Sequence, residues 1–478
     1  MDCIGGRGIF NLGRRPVHVL AALREAVQVA DQGNFPLISA EKADLARRLA
    51  AFAPGELDCA VFSVSRGEAL DAACKLARGH SRRGGLVTVD GGWYGETGFA
   101  LALSERRDTT DFAPLIPDVR SVPMNDLTAA EAAIGRLDAA FILEPVQAEN
   151  GCRCVEPDYL RAVARICRDR GVLLVLDETQ SGMGRTGARF AYGHWGVVPD
   201  ILVIGESLAA GAFPICATLF AAPLQEFLNE HPLIHLSTFG GSDVGCLVGQ
   251  AALDDYEAVR PWENAAVMGE RLATSLQTLA DEHPDIVLGV NGKGLLLALE
   301  LTSEEQAAAL SAALADNGVL AVPGRVATAS VVLRPSLLIT DEECQHLVAG
   351  CRAALAALAA PPQGRDARRT SRRSAAARGT SKAGGTAAKS GTIASDTSAA
   401  AKRRSGTSRR GDTSATTSES TRKPRAPAAK KRAPAAGPAA EQPADTSTGA
   451  VGSTGTEAPV RRKRSSRQQR QKRPPGGR

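Results

Sequence analysis

Long apolar runs are missing from this sequence. No stretch reaches the ~18–20 residues that a membrane-spanning helix needs, and the start MDCIGGRGIF does not have the pattern of a signal peptide. The ten cysteines include no C-x-x-C pair, which is the spacing typical of zinc and redox sites. These absences argue against a membrane span and a metal site, and they predict free thiols and a cytoplasmic location.

Residues 361–478 lack the side chains from which a hydrophobic core is built. They contain no Phe, Trp, Tyr, Leu or Cys, so we predict a disordered tail. Its 28 basic and 7 acidic residues give a net charge of +21, and because the whole chain carries +5, residues 1–360 carry −16. We expect salt-dependent, non-specific binding of nucleic acid or another polyanion. The alternative is a tail that folds back on the acidic part.

Lysine is scarce before residue 361. Only Lys42, Lys75 and Lys293 occur there, and residues 76–292 contain none. Residues 76–292 therefore cannot supply a lysine amine to a reaction.

Residues 1–360 alternate continuous apolar runs with amphipathic segments such as GEALDAACKLAR (67–78) and EPDYLRAVARICRDRG (156–171). Continuous apolar strands are typical of a mainly parallel α/β sheet that helices cover on both faces. From Asp254 the pattern changes and predicts a smaller α+β domain that ends near residue 360. The apolar runs are CAVFSV (59–64), GLVTVD (85–90), AAFILEPV (139–146), GVLLVLD (171–177) and DILVIG (200–205).

Polar and aromatic residues follow the ends of these apolar runs. Ligands of parallel α/β sheets bind beyond the carboxyl ends of the strands. A buried strand rarely ends in an unpaired carboxylate, so we expect a cation beside Asp177, Glu178 and Glu206. The candidates at these ends are Ser65, Arg66, Gly67, Trp93, Tyr94, Glu144, Asp177, Glu178, Thr179, Gln180 and Glu206.

Six motifs occur here in a familiar order: EPVQAENG (144–151), DETQSGMGRTG (177–187), PDILVIGESLAAGAFP (199–214), STFGGS (237–242), GKGLLLALEL (292–301) and VVLRPSL (331–337). In order and spacing they resemble the class III (ornithine-type) aminotransferases, and the resemblance covers residues 2–358. The N-terminal DCIGGRGIFNLG (2–13) is most similar to the putrescine aminotransferase branch.

The resemblance implies the pyridoxal phosphate (PLP) fold type I. It predicts an N-terminal segment (1–40), a PLP-binding large domain (41–253), a small C-terminal domain (254–360) and then the tail (361–478). Family members usually carry a further segment before the first motif, so we expect a truncated or misassigned start. The family also implies a homodimer with shared sites.

The resemblance assigns contacts to the cofactor ring. Asp177 matches the aspartate that pairs with the protonated pyridine nitrogen, and Gln180 matches the glutamine that bonds the ring hydroxyl. Trp93 takes the position of the aromatic residue that stacks on the ring, with Tyr94 beside it. The alternatives are a structural ion pair of Asp177 with an arginine, a loop position for Gln180 and a core position for Trp93.

The cofactor phosphate is expected at a helix N-terminus, where free N–H groups favour an anion. The family has Ser-Gly-Thr there, whereas this chain has Ser65-Arg66-Gly67. Arg66 either grips the phosphate or blocks it, and the sequence does not decide between the two. Thr238 matches the threonine that reaches the phosphate from the neighbouring subunit.

The resemblance also implies a site for a small amine or amino-acid substrate. Arg334 matches the arginine that binds a substrate carboxylate in a bidentate manner. Glu149 matches the glutamate that pairs with this arginine when no carboxylate is bound, and Glu144 matches a further pocket carboxylate. The alternative for all three is a surface salt bridge.

Glu206 occupies the position of the lysine that forms the Schiff base with PLP in the family. A carboxylate has no nitrogen and cannot form an imine. Three hypotheses follow: a homologue that no longer transaminates and serves as a binding subunit, alone or paired with an active homologue; a functional PLP- or pyridoxamine-phosphate-dependent transaminase; and a polyanion-binding scaffold. In the first, the cofactor is held weakly or not at all.

Overall fold

The computed structural model describes residues 1–32, 38–105 and 109–360. They form a seven-stranded sheet and, later in the chain, a four-stranded sheet, each with its own helices. The α-helices are α1 (Val17–Val29), α2 (Ala40–Phe52), α3 (Arg66–Ser81), α4 (Gly98–Leu103), α5 (Leu127–Ala133), α6 (Pro157–Arg170), α7 (Gln225–Glu230), α8 (Asp243–Val259), α9 (Pro261–Glu282), α10 (Glu304–Asp316) and α11 (Asp341–Ala359). The strands are β1 (Cys59–Ser63), β2 (Gly85–Val89), β3 (Val119–Val122), β4 (Asp138–Leu143), β5 (Val146–Gln147), β6 (Arg153–Cys154), β7 (Leu173–Asp177), β8 (Ile201–Ile204), β9 (Cys216–Phe220), β10 (Val287–Lys293), β11 (Leu296–Leu301), β12 (Val322–Pro323) and β13 (Ser330–Leu333).

The large sheet has the strand order β1-β9-β8-β7-β4-β2-β3. The five strands from β8 to β3 pair in parallel, whereas β9 is antiparallel to both β8 and β1. All residues of β2, β4, β8 and β9 are buried, as expected for a sheet covered on both faces. The predicted mainly parallel α/β fold is confirmed.

The helix α6 begins and ends at residues that local chemistry favours, and α3 has the apolar face that its sequence predicts. Pro157 occupies the first turn of α6, and Gly171 ends that helix in the left-handed conformation with φ 62°, a conformation that glycine adopts without strain. In α3 the residues with helical spacing, Leu70, Ala73, Cys74 and Ala77, are all buried. This apolar face holds α3 against the sheet.

The four-stranded sheet is antiparallel with the order β10-β11-β13-β12. Together with α9, α10 and α11 it surrounds a hydrophobic cluster separate from that of the large sheet. A capping box begins α11, because Thr340 accepts from the Glu343 backbone N–H and the Glu343 side chain accepts from that of Thr340. The change to an α+β unit is therefore observed, and the domain limits 1–40, 41–253 and 254–360 stay predictions.

The N-terminal segment packs across the second cluster. Asp2 forms a β-bridge with Leu320, and the Arg334 backbone N–H donates to the Cys3 carbonyl at 2.7 Å. This brings residues 3–11 to the edge of the large sheet, where the Asn11 amide donates to the Met183 carbonyl at 3.1 Å.

The cysteines, the metal-ligating side chains and the helices bear on three general predictions. All ten cysteines are free, and none of the described residues form a cluster suited to a metal ion. Among the described helices, none has both the length and the hydropathy that a membrane crossing demands. The predicted disordered tail, residues 361–478, lies outside the described part of the chain.

Candidate active site

Carboxylates from three neighbouring strands meet at the carboxyl edge of the large sheet. Asp177 ends β7, Glu144 directly follows β4, and Glu206 follows β8. These strands are adjacent and parallel, so their ends lie side by side. Gly205 allows the close approach, because a Cβ there would lie 2.7 Å from the Thr179 carbonyl oxygen.

Arg66, the first residue of α3, supplies the cation that these carboxylates require. Its Nη2 atom lies 3.5 Å from Asp177 Oδ2 and 3.8 Å from Glu144 Oε1, and it donates to the Trp93 carbonyl at 3.1 Å. The guanidinium carbon lies 4.4 Å from the centre of the Trp93 ring. The arginine ion pair, the alternative interpretation of Asp177, is therefore present.

The electrostatics of this cluster follow from its burial. Burial raises the pKa of Glu144, and the Asp177 charge raises it further. Burial also raises the pKa of Asp177, and the nearby Arg66 guanidinium opposes that shift. For Arg66, burial lowers the pKa, but the surrounding carboxylates outweigh it and raise the pKa above its ordinary value. The arginine stays charged, and both carboxyl groups interact with this one positive charge.

Glu206 lies at the N-terminus of α3. Its Oε1 atom accepts from the Arg66 backbone N–H at 3.0 Å. The preceding residue, Ser65, has an extended backbone and does not cap the helix with its side chain. The carboxylate of Glu206 thus occupies an anion position that a helix N-terminus provides.

A second cluster forms around Glu149. Its Oε1 atom lies 2.7 Å from Arg334 Nη2 and accepts from the Gln180 amide at 3.3 Å, while its Oε2 atom pairs with Arg7. Burial by itself would raise the pKa of Glu149, but Arg334 and Arg7 lower it to about 2. The predicted pair of Glu149 and Arg334 exists, and it is buried rather than a surface salt bridge.

The two aromatic candidates point to different places. The place between the Trp93 ring and Asp177, where the Arg66 guanidinium lies, is called the pocket below. The Trp93 backbone N–H donates to Glu144 at 2.9 Å. The Tyr94 hydroxyl instead lies 2.8 Å from the Thr88 hydroxyl and 3.3 Å from the Ile142 carbonyl, inside the core. The Tyr94 hydroxyl is therefore used by the core, and the cofactor contact predicted for Tyr94 stays a prediction.

Glu178 and Gly67 have structural roles. The Glu178 carboxylate accepts from the backbone N–H groups of Ala191 and Tyr192 at 2.6 and 2.8 Å, and burial raises its pKa to about 7. A Cβ at Gly67 would lie 2.8 Å from Thr97 Oγ1, so glycine there permits close packing with the 95–97 loop. The expectation of a cation beside Glu178 is wrong, because backbone N–H groups bond its carboxylate instead.

Thr238 is exposed on the segment 231–240. Its predicted contact is with a neighbouring subunit, so the position within one chain leaves that prediction as it stands.

Two arginines of the site have no motif of their own. Arg7 pairs with Glu149 from the N-terminal segment, and Arg325 lies 4.4 Å from the Trp93 ring centre while its guanidinium bonds Glu96 at 2.9 Å. Arg7 has φ 58°, a left-handed conformation uncommon for arginine. The glycines around Arg7 are the one local signal of that turn, and nothing in the sequence near Arg325 indicates its role.

The large, mainly parallel sheet matches the PLP fold type I aminotransferases, and solved structures of that class superimpose on the chain. The chain belongs to the class III aminotransferase family, since the family model "Aminotransferase class-III" matches residues 1–355. Homologues in this family depend on PLP.

Individual relatives agree with this assignment. The chain is 38% identical to an uncharacterized aminotransferase of Archaeoglobus fulgidus over 73% of this chain and 82% of the relative. It is 37% identical to a putrescine aminotransferase of Pectobacterium atrosepticum over 73% and 76%. The ornithine aminotransferase of Toxoplasma gondii, solved with partial occupancy of PLP at its active site, matches with a TM-score of 0.70 and 29% identity over 74% of this chain and 86% of that one.

The described residues fit the cofactor only in part. Asp177 Oδ2 and Gln180 Oε1 are buried and have no hydrogen-bond partner among the described residues. Such acceptors suit the ring nitrogen and the ring hydroxyl of the cofactor. However, the Arg66 guanidinium stacks on Trp93 and faces Asp177, and Glu206 takes the helix N-terminus. A pyridoxal ring and its phosphate need both places, so the residues as arranged do not fit the cofactor.

Proposed function

We propose that this protein is a class III aminotransferase homologue that does not catalyse ordinary transamination. The observation that carries the proposal is the hydrogen bond of Glu206 to the N-terminus of α3. At the position where the family resemblance implies a Schiff-base lysine, the chain has a carboxylate that already has a structural partner.

The remaining lysines support this proposal. Lys75 lies on α3, and its Nζ atom is 3.3 Å from His235 Nδ1. Lys293 ends β10 in the second sheet, and Lys42 lies on α2. Of these three elements, only α3 contributes a side chain, that of Arg66, to the carboxylate cluster at the ends of β4, β7 and β8. Lys75 lies more than two turns beyond Arg66 on that helix.

The cofactor and the substrate belong to the same proposal. We expect PLP and pyridoxamine phosphate to bind weakly and to be removed by dialysis, because Arg66 and Glu206 fill their places. A small amine or amino acid remains the expected ligand class, since relatives include putrescine and ornithine aminotransferases.

A second candidate is an active transaminase on a diamine or an amino acid. The intact pair of Glu149 and Arg334 favours it, because the Nε and Nη1 atoms of Arg334 are buried without a hydrogen-bond partner among the described residues. Such donors suit a substrate carboxylate.

We also propose a homodimer. Leu233, Leu236 and Phe239 are at least half exposed on the segment that carries Thr238, and large apolar residues grouped in this way are typical of interaction surfaces. Light scattering of the purified chain tests the assembly. Co-purification with an active homologue would favour a heterodimer instead.

Polyanion binding remains a proposal about residues 361–478. The net charge of +21 of the tail supports it.

The test of the main proposal is a turnover assay of the purified full chain. PLP, an oxo-acid acceptor and either putrescine or ornithine are supplied, and amino transfer is measured by mass spectrometry. The proposal predicts no product above the protein-free control. Sustained turnover by the intact chain would support the second candidate and contradict the first.

A further inference from the structure

We infer that the pocket is filled by two of its own side chains, the Arg66 guanidinium as a planar cation between Trp93 and Asp177, and the Glu206 carboxylate as an anion on α3. The inference rests on the proposed function and deepens it, because it names the ligand class that the pocket accepts. That class is a planar cationic ring bearing an anionic group, and such a ligand binds only after both side chains have moved.

The cationic half of the pocket is the place that the Arg66 guanidinium fills, and two contacts define it. Arg66 stacks on Trp93 at 4.4 Å and lies 3.5 Å from Asp177 Oδ2, with only 11% of its side chain exposed. A guanidinium is planar, delocalised and weakly hydrated, so it suits a buried aromatic face. The Nε atom of Arg66 and Oδ2 of Asp177 nevertheless have no hydrogen-bond partner among the described residues, so the arginine matches the pocket imperfectly.

The anionic half is the first turn of α3. This helix has 16 residues, and its first backbone N–H donates to Glu206. An anion in this position is stabilised by the helix dipole. An external phosphate would have to compete with a carboxylate that is already attached to the protein.

The two halves are coupled through one residue. Arg66 supplies both the guanidinium for the cationic half and the backbone N–H for the anionic half. Across the two clusters described above, four carboxyl groups face three guanidiniums, and loss of Arg66 would leave four against two, which favours an external cation. The carboxylates are Glu144, Glu149, Asp177 and Glu206, and the guanidiniums are those of Arg7, Arg66 and Arg334.

Equilibrium dialysis with pyridoxamine phosphate tests the inference, because this ligand has a pyridine ring that can be protonated and a phosphate, but no aldehyde. We expect Arg66→Gly and Glu206→Gln each to tighten binding by about tenfold or more, and the double variant to bind more tightly than either. The matched control is Arg189→Gly, which removes an arginine that stacks on Phe52 at 4.9 Å, away from the carboxylates. The control should bind like the unaltered chain.

The contrary result is equally clear. If Arg66→Gly weakens binding of pyridoxamine phosphate, then Arg66 grips the ligand and the inference is wrong. Unchanged affinity in both single variants would also overturn it.

Chemical rescue provides a second measurement if Arg66→Gly folds poorly. Methylguanidinium at millimolar concentration should raise the unfolding temperature of Arg66→Gly, because it can occupy the vacated cation position. The same addition should leave Arg189→Gly and the unaltered chain unchanged. Equal responses of all three proteins would contradict the inference.

Failure of this inference can be distinguished from failure of the proposed function. Turnover by the unaltered chain contradicts the proposed function, whatever the dialysis shows. Absence of turnover together with tight binding that Arg66→Gly weakens contradicts the self-filled pocket alone.

Discussion

Arg334 and Glu149 form an ion pair in which neither side chain is exposed to solvent, with Nη2 and Oε1 2.7 Å apart. The pair joins β13 of the second sheet to the loop after β5 in the first part of the chain. Arg7 adds a third charge from the N-terminal segment. Three distant parts of the chain therefore meet at one buried carboxylate, and the pair connects the site to the stability of the fold.

Replacing one partner of this pair should be strongly destabilising. We expect Arg334→Met to lower the free energy of unfolding by about 3–5 kcal/mol, because it leaves Glu149 with less compensation for burial. Arg153→Met is the control, since Arg153 and Glu300 form an exposed pair at 3.3 Å, for which we expect a loss of about 1 kcal/mol or less. Urea unfolding followed by tryptophan fluorescence measures both. Similar losses in the two variants would contradict a buried, stabilising pair.

Glu178 should make stability depend on pH. Its pKa is raised from 4.5 to about 7 in the fold, so the folded protein binds a proton that the unfolded chain releases. Stability from this group therefore falls as the pH rises from 4.5 to about 7, by about 3 kcal/mol in total. Glu178→Gln cannot titrate and should flatten this part of the curve.

The measurement for Glu178 is the difference between the unfolding free energies of the unaltered chain and Glu178→Gln at several pH values. We expect the difference to shift in favour of the variant with increasing pH up to about 7 and to stay constant above it. A difference that does not change with pH would show that the buried carboxyl is not protonated in the fold.

Substitutions of Tyr94 and Trp93 should have different effects, the first on stability and the second on the affinity for pyridoxamine phosphate. Tyr94→Phe removes a hydroxyl that bonds Thr88, and we expect it to cost about 1 kcal/mol of stability without changing the affinity for pyridoxamine phosphate. Trp93→Leu removes the ring on which Arg66 stacks and should change that affinity. If Tyr94→Phe alters binding as much as Trp93→Leu does, the assignment of Tyr94 to the core is wrong.

The tail should account for any polyanion binding. A chain that ends at residue 360 carries a net charge of −16, so we expect it to lose retention on a DNA or heparin column. For the full chain, the logarithm of the binding constant should fall linearly with the logarithm of the salt concentration. Retention by the shortened chain would assign the binding to the folded part instead.

Much of the architecture could be predicted, because burial on both faces leaves a clear pattern in the sequence. The runs that became β1, β2, β4, β7 and β8 are continuous and apolar, and the carboxylates after them must lie at one edge of a parallel sheet. The antiparallel direction of β9 could not be predicted, since its apolar run CATLF carries no signal of direction.

The pocket itself was only partly predictable. The side chain of Arg66 could reach toward the cluster or away from it, and the choice depends on Trp93 and Asp177, which lie 27 and 111 positions further along the chain. Likewise, the core position of Tyr94 depends on its hydrogen bond to Thr88. Such choices follow from tertiary contacts, which local spacing does not encode.

The most direct test of the central claim is whether the protein forms a covalent bond with the aldehyde of PLP. The unaltered chain and the double variant Arg66→Gly/Glu206→Lys are incubated with PLP and reduced with borohydride. The denatured proteins are then weighed by intact-mass spectrometry, and any adduct is located by peptide mapping. We predict no specific adduct on the unaltered chain, because Glu206 has no amine. In the double variant we predict an adduct at position 206. A stoichiometric adduct of the unaltered chain on Lys42, Lys75 or Lys293 would contradict the account.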